Sequence, residues 1–116
     1  MSAEFTVADH FEGKDPVVTS IYQRLLDALR QFGQVSESPK KTSIHLDNAS
    51  GFAGVNTRKR YLLLNFRTSS KIDSPRIDKI EQHSAKRFMH TVRLQTPDEI
   101  DTELLGWLKS AYDLAA

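Results

Sequence analysis

The chain has 116 residues, of which 39% are apolar and 27% charged, and it contains no cysteine. These totals fit one globular domain with one core, exclude disulfides, thiolate nucleophiles and cysteine metal sites, and suit a reducing cytoplasm. The net charge of +1 hides an uneven distribution: residues 38–93 carry twelve Lys/Arg against four Asp/Glu, while both flanks are acidic, so a local positive field is expected.

Residues 1–9 show little apolar periodicity and read as a loose arm ahead of a single α+β domain over 10–116. The beginning lacks a basic region followed by an apolar run, and no stretch approaches the ~18 apolar residues of a membrane span, so a cytoplasmic, unanchored protein is expected. Asp15 followed by Pro16 has the form of an N-cap with proline at the first helical position. Val18, Ile21, Tyr22, Leu25, Leu29 and Phe32 then recur at helical spacing, and Gly33 supplies a stop.

Beyond Pro39 the period becomes two. Thr42, Ile44 and Leu46 alternate with Lys41, Ser43, His45 and Asp47, "DNASG" turns the chain, and a second strand over Phe52–Asn56 reaches the basic turn "TRKR". The next strand, "YLLLNF", is apolar on both faces and reads as central, so these segments form an antiparallel meander. "TSSKIDSP" is turn-like, and "RIDKIEQH" fits a short helix or a strand. Lys86–Leu94 alternates again, with Phe88, His90, Val92 and Leu94 on one side.

"TPDE" gives Thr96 as N-cap, Pro97 at the first position and Glu99 completing a capping box. Ile100, Leu104, Trp107, Leu108 and Ala111 form the buried stripe of a last helix, with Tyr112 at its edge. The predicted fold is therefore α+β: a helix, about four or five antiparallel strands and a final helix, with both helices on one face of the sheet.

The phrases "HFEGKDPVVTSIYQRLLDAL", "PKKTSIHL", "FAGV", "HTVRL" and "DEIDTELLGWLKSAYDLAA", in that order over roughly residues 9–115, resemble a bacterial family of unknown function, DUF5655. The resemblance implies no activity, cofactor or catalytic set. The layout is also similar, more distantly, to YjbR-like small bacterial proteins, for which shape has suggested nucleic-acid binding.

No catalytic constellation is expected. Ser43, His45 and Asp47 spell a triad in print, but residues two apart on a strand stand about 6.6–7 Å apart, too far for a nucleophile and its base. The histidines His10, His45, His83 and His90 form neither HxH nor HExxH, so no metal is predicted, and the five glycines build no phosphate-binding loop. No cofactor is implied.

Two places remain. In a meander, the start of the first strand and the turn between the second and third lie at one end of the sheet. Lys40, Lys41, Arg58, Lys59 and Arg60 would converge there, with Thr42 and Thr57 as hydroxyl donors, in a cluster suited to phosphate or carboxylate. The expected partner is an anionic ligand or nucleic acid; the plain alternative is a set of solvated loop tips. His90 falls on the apolar side of its strand, as a hydrogen-bonded core histidine or as the polar floor of a small pocket near Trp107 and Tyr112, which would suit a small-molecule sensor or a small enzyme. The acidic stretch "TPDEIDTELL" offers a third surface, for a basic protein partner.

Overall fold

The computed structural model describes residues 5–115. A 3-10 turn (Ala8–Phe11) and helix α1 (Pro16–Leu29) come first, followed by strands β1 (Ser36–Pro39), β2 (Ile44–Asp47), β3 (Gly51–Thr57) and β4 (Leu62–Thr68). Strands β5 (Ile77–Ser84) and β6 (Arg87–Leu94), a second 3-10 turn (Pro97–Glu99) and helix α2 (Thr102–Leu114) complete the chain. The strands form one antiparallel sheet of six in the order β1-β2-β3-β4-β6-β5.

The α+β class is as expected, but the sheet has six strands where the sequence suggests about four or five. The two additions are its edges. β1, Ser-Glu-Ser-Pro, carries no apolar residue and exists through pairing with β2. β5 settles the ambiguous stretch as a strand, exposed or half-exposed along its whole length. Of the predicted N-terminal arm, residues 1–4 lie outside the described residues, and the 3-10 turn begins at Ala8 inside its last part.

Local chemistry accounts for the helix limits. The Asp15 carboxylate accepts the Val17 N–H at 2.9 Å with Pro16 at the first position, so α1 starts where the pattern predicts. It stops at Leu29, leaving Phe32 in the following turn and Gly33 at φ +153°. At the other end, the Thr96–Glu99 capping box closes only the 3-10 turn. Asp101 then starts α2 afresh by accepting the Leu104 N–H at 3.1 Å.

The core follows the parity of the strands. Leu62, Leu64 and Phe66 of β4 are fully buried and stand opposite Leu94, Val92 and His90 of β6. Val18, Ile21, Leu25 and Leu29 of α1 and Leu104 and Leu108 of α2 complete this apolar layer. α2 packs on β3 and β4, while α1 touches β4 and α2. The radius of gyration, 13.7 Å, agrees with one compact core at ~13 Å per 100 residues.

Three irregularities shape the sheet. Leu46 faces Ala53 but Asp47 faces Gly51, so Phe52 is an extra residue in β3. The bulge directs Phe52 onto Tyr112 of α2, edge to face at 5.2 Å. β5 is likewise interrupted, once at Asp78 and once at His83. Among the described residues no helix is long and apolar enough to cross a membrane.

Candidate functional site

Two hairpin turns carry the predicted basic cluster. In the β1–β2 turn the Lys40 N–H donates to the Ser43 carbonyl at 2.7 Å, and in the β3–β4 turn the Arg58 N–H donates to the Tyr61 carbonyl at 2.9 Å. β2 pairs antiparallel with β3, Ile44 opposite Val55, so both turns project from the same end of the sheet. Lys40, Lys41, Thr42, Arg58, Lys59 and Arg60 are all exposed there.

The segment before α1 ties the turns together. His10, only 8% exposed, donates through Nε2 to the Lys40 carbonyl at 2.8 Å, while its own carbonyl accepts the Thr57 hydroxyl. The Asp15 N–H donates to the Lys59 carbonyl at 2.8 Å. The Asp15 carboxylate is occupied in capping α1. Among the described residues none of the five cations in these turns has a carboxylate within ion-pair distance.

Arg93, one strand further along, adds to this end. Its guanidinium stands over the Tyr61 ring at 4.7 Å, within the range where a cation is attracted to an aromatic face. The pattern of the sequence places Arg93 on the less buried side of β6, but its contact with Tyr61 depends on β6 lying beside β4. His10 is the other residue that sequence reasoning misses; no local signal marks a histidine as a bridge between two distant turns.

His90 occupies the core. It is fully buried and stacked on Phe66, ring centroids 5.4 Å apart, and Phe66 stacks in turn on Trp107 at 6.3 Å. Nε2 accepts the Ile72 N–H at 3.0 Å, and Nδ1 has no hydrogen-bond partner. Burial lowers the imidazole pKa and outweighs the backbone of Phe66 and Phe88, which acts the other way. Tyr112 does not join this group: it packs on Phe32 and Phe52, and its hydroxyl donates to the Gln34 carbonyl at 2.9 Å. The three predicted pocket residues thus divide between two places, because Trp107 and Tyr112, five residues apart on α2, point about 140° apart around the helix.

The surface cavities lie elsewhere. An apolar groove of about 520 Å³ runs between Val7, Phe11, Tyr22 and Leu26, with Glu12 and Glu37 on its rim. Tyr22 donates to Glu37 at 2.6 Å, and burial together with that bond raises its phenol well above the ordinary range. The carboxylates give this groove the wrong sign for an anion. A second cavity, lined by Arg67, Lys86 and Arg87, opens at the end of the sheet opposite the basic turns. Ser43, His45 and Asp47 stay apart along β2 and its approach, and no cluster of three metal-ligating side chains occurs among the described residues.

No curated protein and no solved structure matches the chain. A family model described as a domain of unknown function does match, over residues 7–115. That span includes the His10 bridge, both basic turns and the whole sheet, so the chain belongs to the domain of unknown function family DUF5655.

Proposed function

We propose that the chain is a non-enzymatic module that binds an extended anionic partner, in the first place a nucleic-acid backbone, through the basic end of its sheet. One observation carries the reading: two turns distant in sequence are fastened at one end through His10, and their five cations are free of ion pairs among the described residues. The fastening holds the two sets of cations side by side at one end.

The shape of this end separates partner classes. Lys40, Lys41, Thr42, Arg58, Lys59 and Arg60 line none of the four main surface cavities among the described residues. Small ligands favour concave sites that bury most of their surface, whereas a polyanion is held by charges spread along an open surface. The reading takes both helices as covering the side of the sheet that carries Leu62, Leu64 and Phe66, supported by the contact of each helix with β4.

Fluorescence anisotropy of a labelled DNA duplex, titrated at ~50 and ~200 mM salt, tests the proposal. With about four phosphate contacts the log-log salt slope is near −3.6, a roughly hundredfold weakening between the two conditions. Absence of saturable binding at tens of micromolar protein in the lower salt would sink it.

A further inference from the structure

Cations also gather at the opposite end of the sheet, and there they line a cavity. Thr68 at the end of β4 stands opposite Phe88 near the start of β6, so the β5–β6 turn brings Lys86 and Arg87 up to Arg67. The three border a cavity of about 240 Å³ together with Ser69, Phe52 and Leu114. Arg67 is fixed in place by donating from Nη2 to the Gly51 carbonyl at 3.0 Å, which leaves its remaining N–H groups free of protein acceptors among the described residues.

The charge of this cavity is one-sided. None of Arg67, Lys86 and Arg87 forms an ion pair among the described residues. Asp47 approaches Gly51 from the neighbouring strand, and among the described residues no carboxylate lines the cavity itself. The end of α2 also faces it, and bare C-terminal carbonyls would oppose an anion. They are covered. The N–H and hydroxyl of Ser50 donate to the Ala115 carbonyl at 3.1 and 3.3 Å, and Asn48 Nδ2 donates to the Tyr112 carbonyl at 3.3 Å.

The apolar wall is equally specific. Leu114 is 57% exposed, one of two large apolar side chains exposed among the described residues. With Phe52 it gives the cationic cavity an apolar wall.

The geometry points to a binding site for a small organic phosphate, its headgroup on Arg67, Lys86 and Arg87 and a short apolar body against Phe52 and Leu114. Three cations exceed what a single carboxylate neutralises, whereas a phosphate monoester brings about −1.5 to −2 charges at pH 7 and three acceptor oxygens. Arginine forks and the Ser69 hydroxyl match those oxygens. The volume lies below the ~300–1,000 Å³ of pockets for drug-sized ligands, so the body is small. This site shares no residue with the basic turns and stands independently of the polyanion reading.

The test is a titration of the 15N-labelled full chain with phenyl phosphate, inorganic phosphate and benzoate, followed by amide chemical shifts. Phenyl phosphate is expected to shift Ser50, Ser69, Lys86 and Arg87 saturably, with a Kd on the order of 0.1–1 mM, and to bind more tightly than either comparator. The double variant K86Q/R87Q, altered only at exposed positions, is expected to raise that Kd at least about tenfold, as loss of charge-assisted hydrogen bonds requires. Leu114→Ser should narrow the preference for phenyl phosphate over inorganic phosphate. The site is refuted by no saturable shift at ~10 mM ligand, by shifts centred on Lys40 and Lys59, by benzoate binding as well as phenyl phosphate, or by an unchanged Kd in the folded double variant.

Discussion

His90 Nε2 accepts the backbone N–H of Ile72 at 3.0 Å, so the ring is held neutral with its proton on Nδ1. The folded pKa lies below the ordinary histidine value because the ring is buried. The unfolded chain therefore takes up a proton that the folded chain refuses. Stability is unaffected above pH ~6.5 and declines as the pH falls below it, by up to ~1.4 kcal/mol per pH unit until the folded pKa is reached. Urea unfolding between pH 7.5 and 5 should show this decline in the wild type and a shallower one in H90Q; parallel profiles would contradict it.

Arg76 joins the approach to β5 to the beginning of α2. Nη1 reaches Asp101 Oδ1 at 2.8 Å and Oδ2 at 3.0 Å and Glu103 at 3.1 Å, and Nη2 donates to the Glu99 carbonyl at 2.7 Å. The carboxylates are about half exposed, so water screens much of the attraction. Arg76→Ala should cost about 1–2 kcal/mol, with Arg76→Lys recovering only a minor part because the fork is lost. Arg76 and the Leu104 N–H hold the Asp101 carboxyl below its ordinary 3.8. Its contribution is thus present above pH ~4 and lost as the pH falls through the lowered value. Thermal melts at pH 7 and 3 check both statements, and an R76A melt identical to wild type at pH 7 would rule out the clamp.

Two glycines predict opposite signs. A Cβ on Gly33 would fall 2.6 Å from the Tyr112 hydroxyl, at a φ of +153° that side chains rarely adopt. Gly33→Ala should destabilise by about 1–3 kcal/mol, partly by breaking the Tyr112 bond to Gln34. Gly106 lies exposed within α2, and a Cβ there meets nothing within 4 Å. Gly106→Ala should stabilise by about 0.5–1 kcal/mol. Denaturant midpoints of the two variants should move apart from the wild type in opposite directions.

Reversing the charge of Arg58, Lys59 and Arg60 together to Glu should abolish duplex binding and its salt dependence without unfolding the chain. The turn is held by backbone bonds, Arg58 N–H to the Tyr61 carbonyl and Asp15 N–H to the Lys59 carbonyl, which the substitutions leave in place. The same reversal at Lys86 and Arg87 should change duplex affinity far less. Equal losses from both sets would point to general charge attraction and not to the basic end.

Much of this fold is legible in the sequence where burial enforces a period. The stripe from Val18 to Leu29, the doubly apolar β4 and the parity of His90, Val92 and Leu94 all appear in the structure as read. The edges were not legible, because a strand such as Ser36–Pro39 obtains its form from a neighbour and not from its own side chains. The basic end was legible because hairpin topology alone decides which turns share an end. His10 and the cavity at Arg67, Lys86 and Arg87 were not, since both depend on contacts between segments far apart in the chain.

The two interruptions in β5 have a consequence for how copies of this chain meet. A strand joining this edge from another molecule would find an unbroken register only from Lys79 to Gln82, four residues between the bulges at Asp78 and His83. The opposite edge is itself four residues long and ends in a proline. Short, charged, bulged or proline-bearing borders discourage such pairing. Each edge thus offers a visiting strand at most four regular residues beside a bulge or a proline, a poor template for growth into ribbons or fibrils.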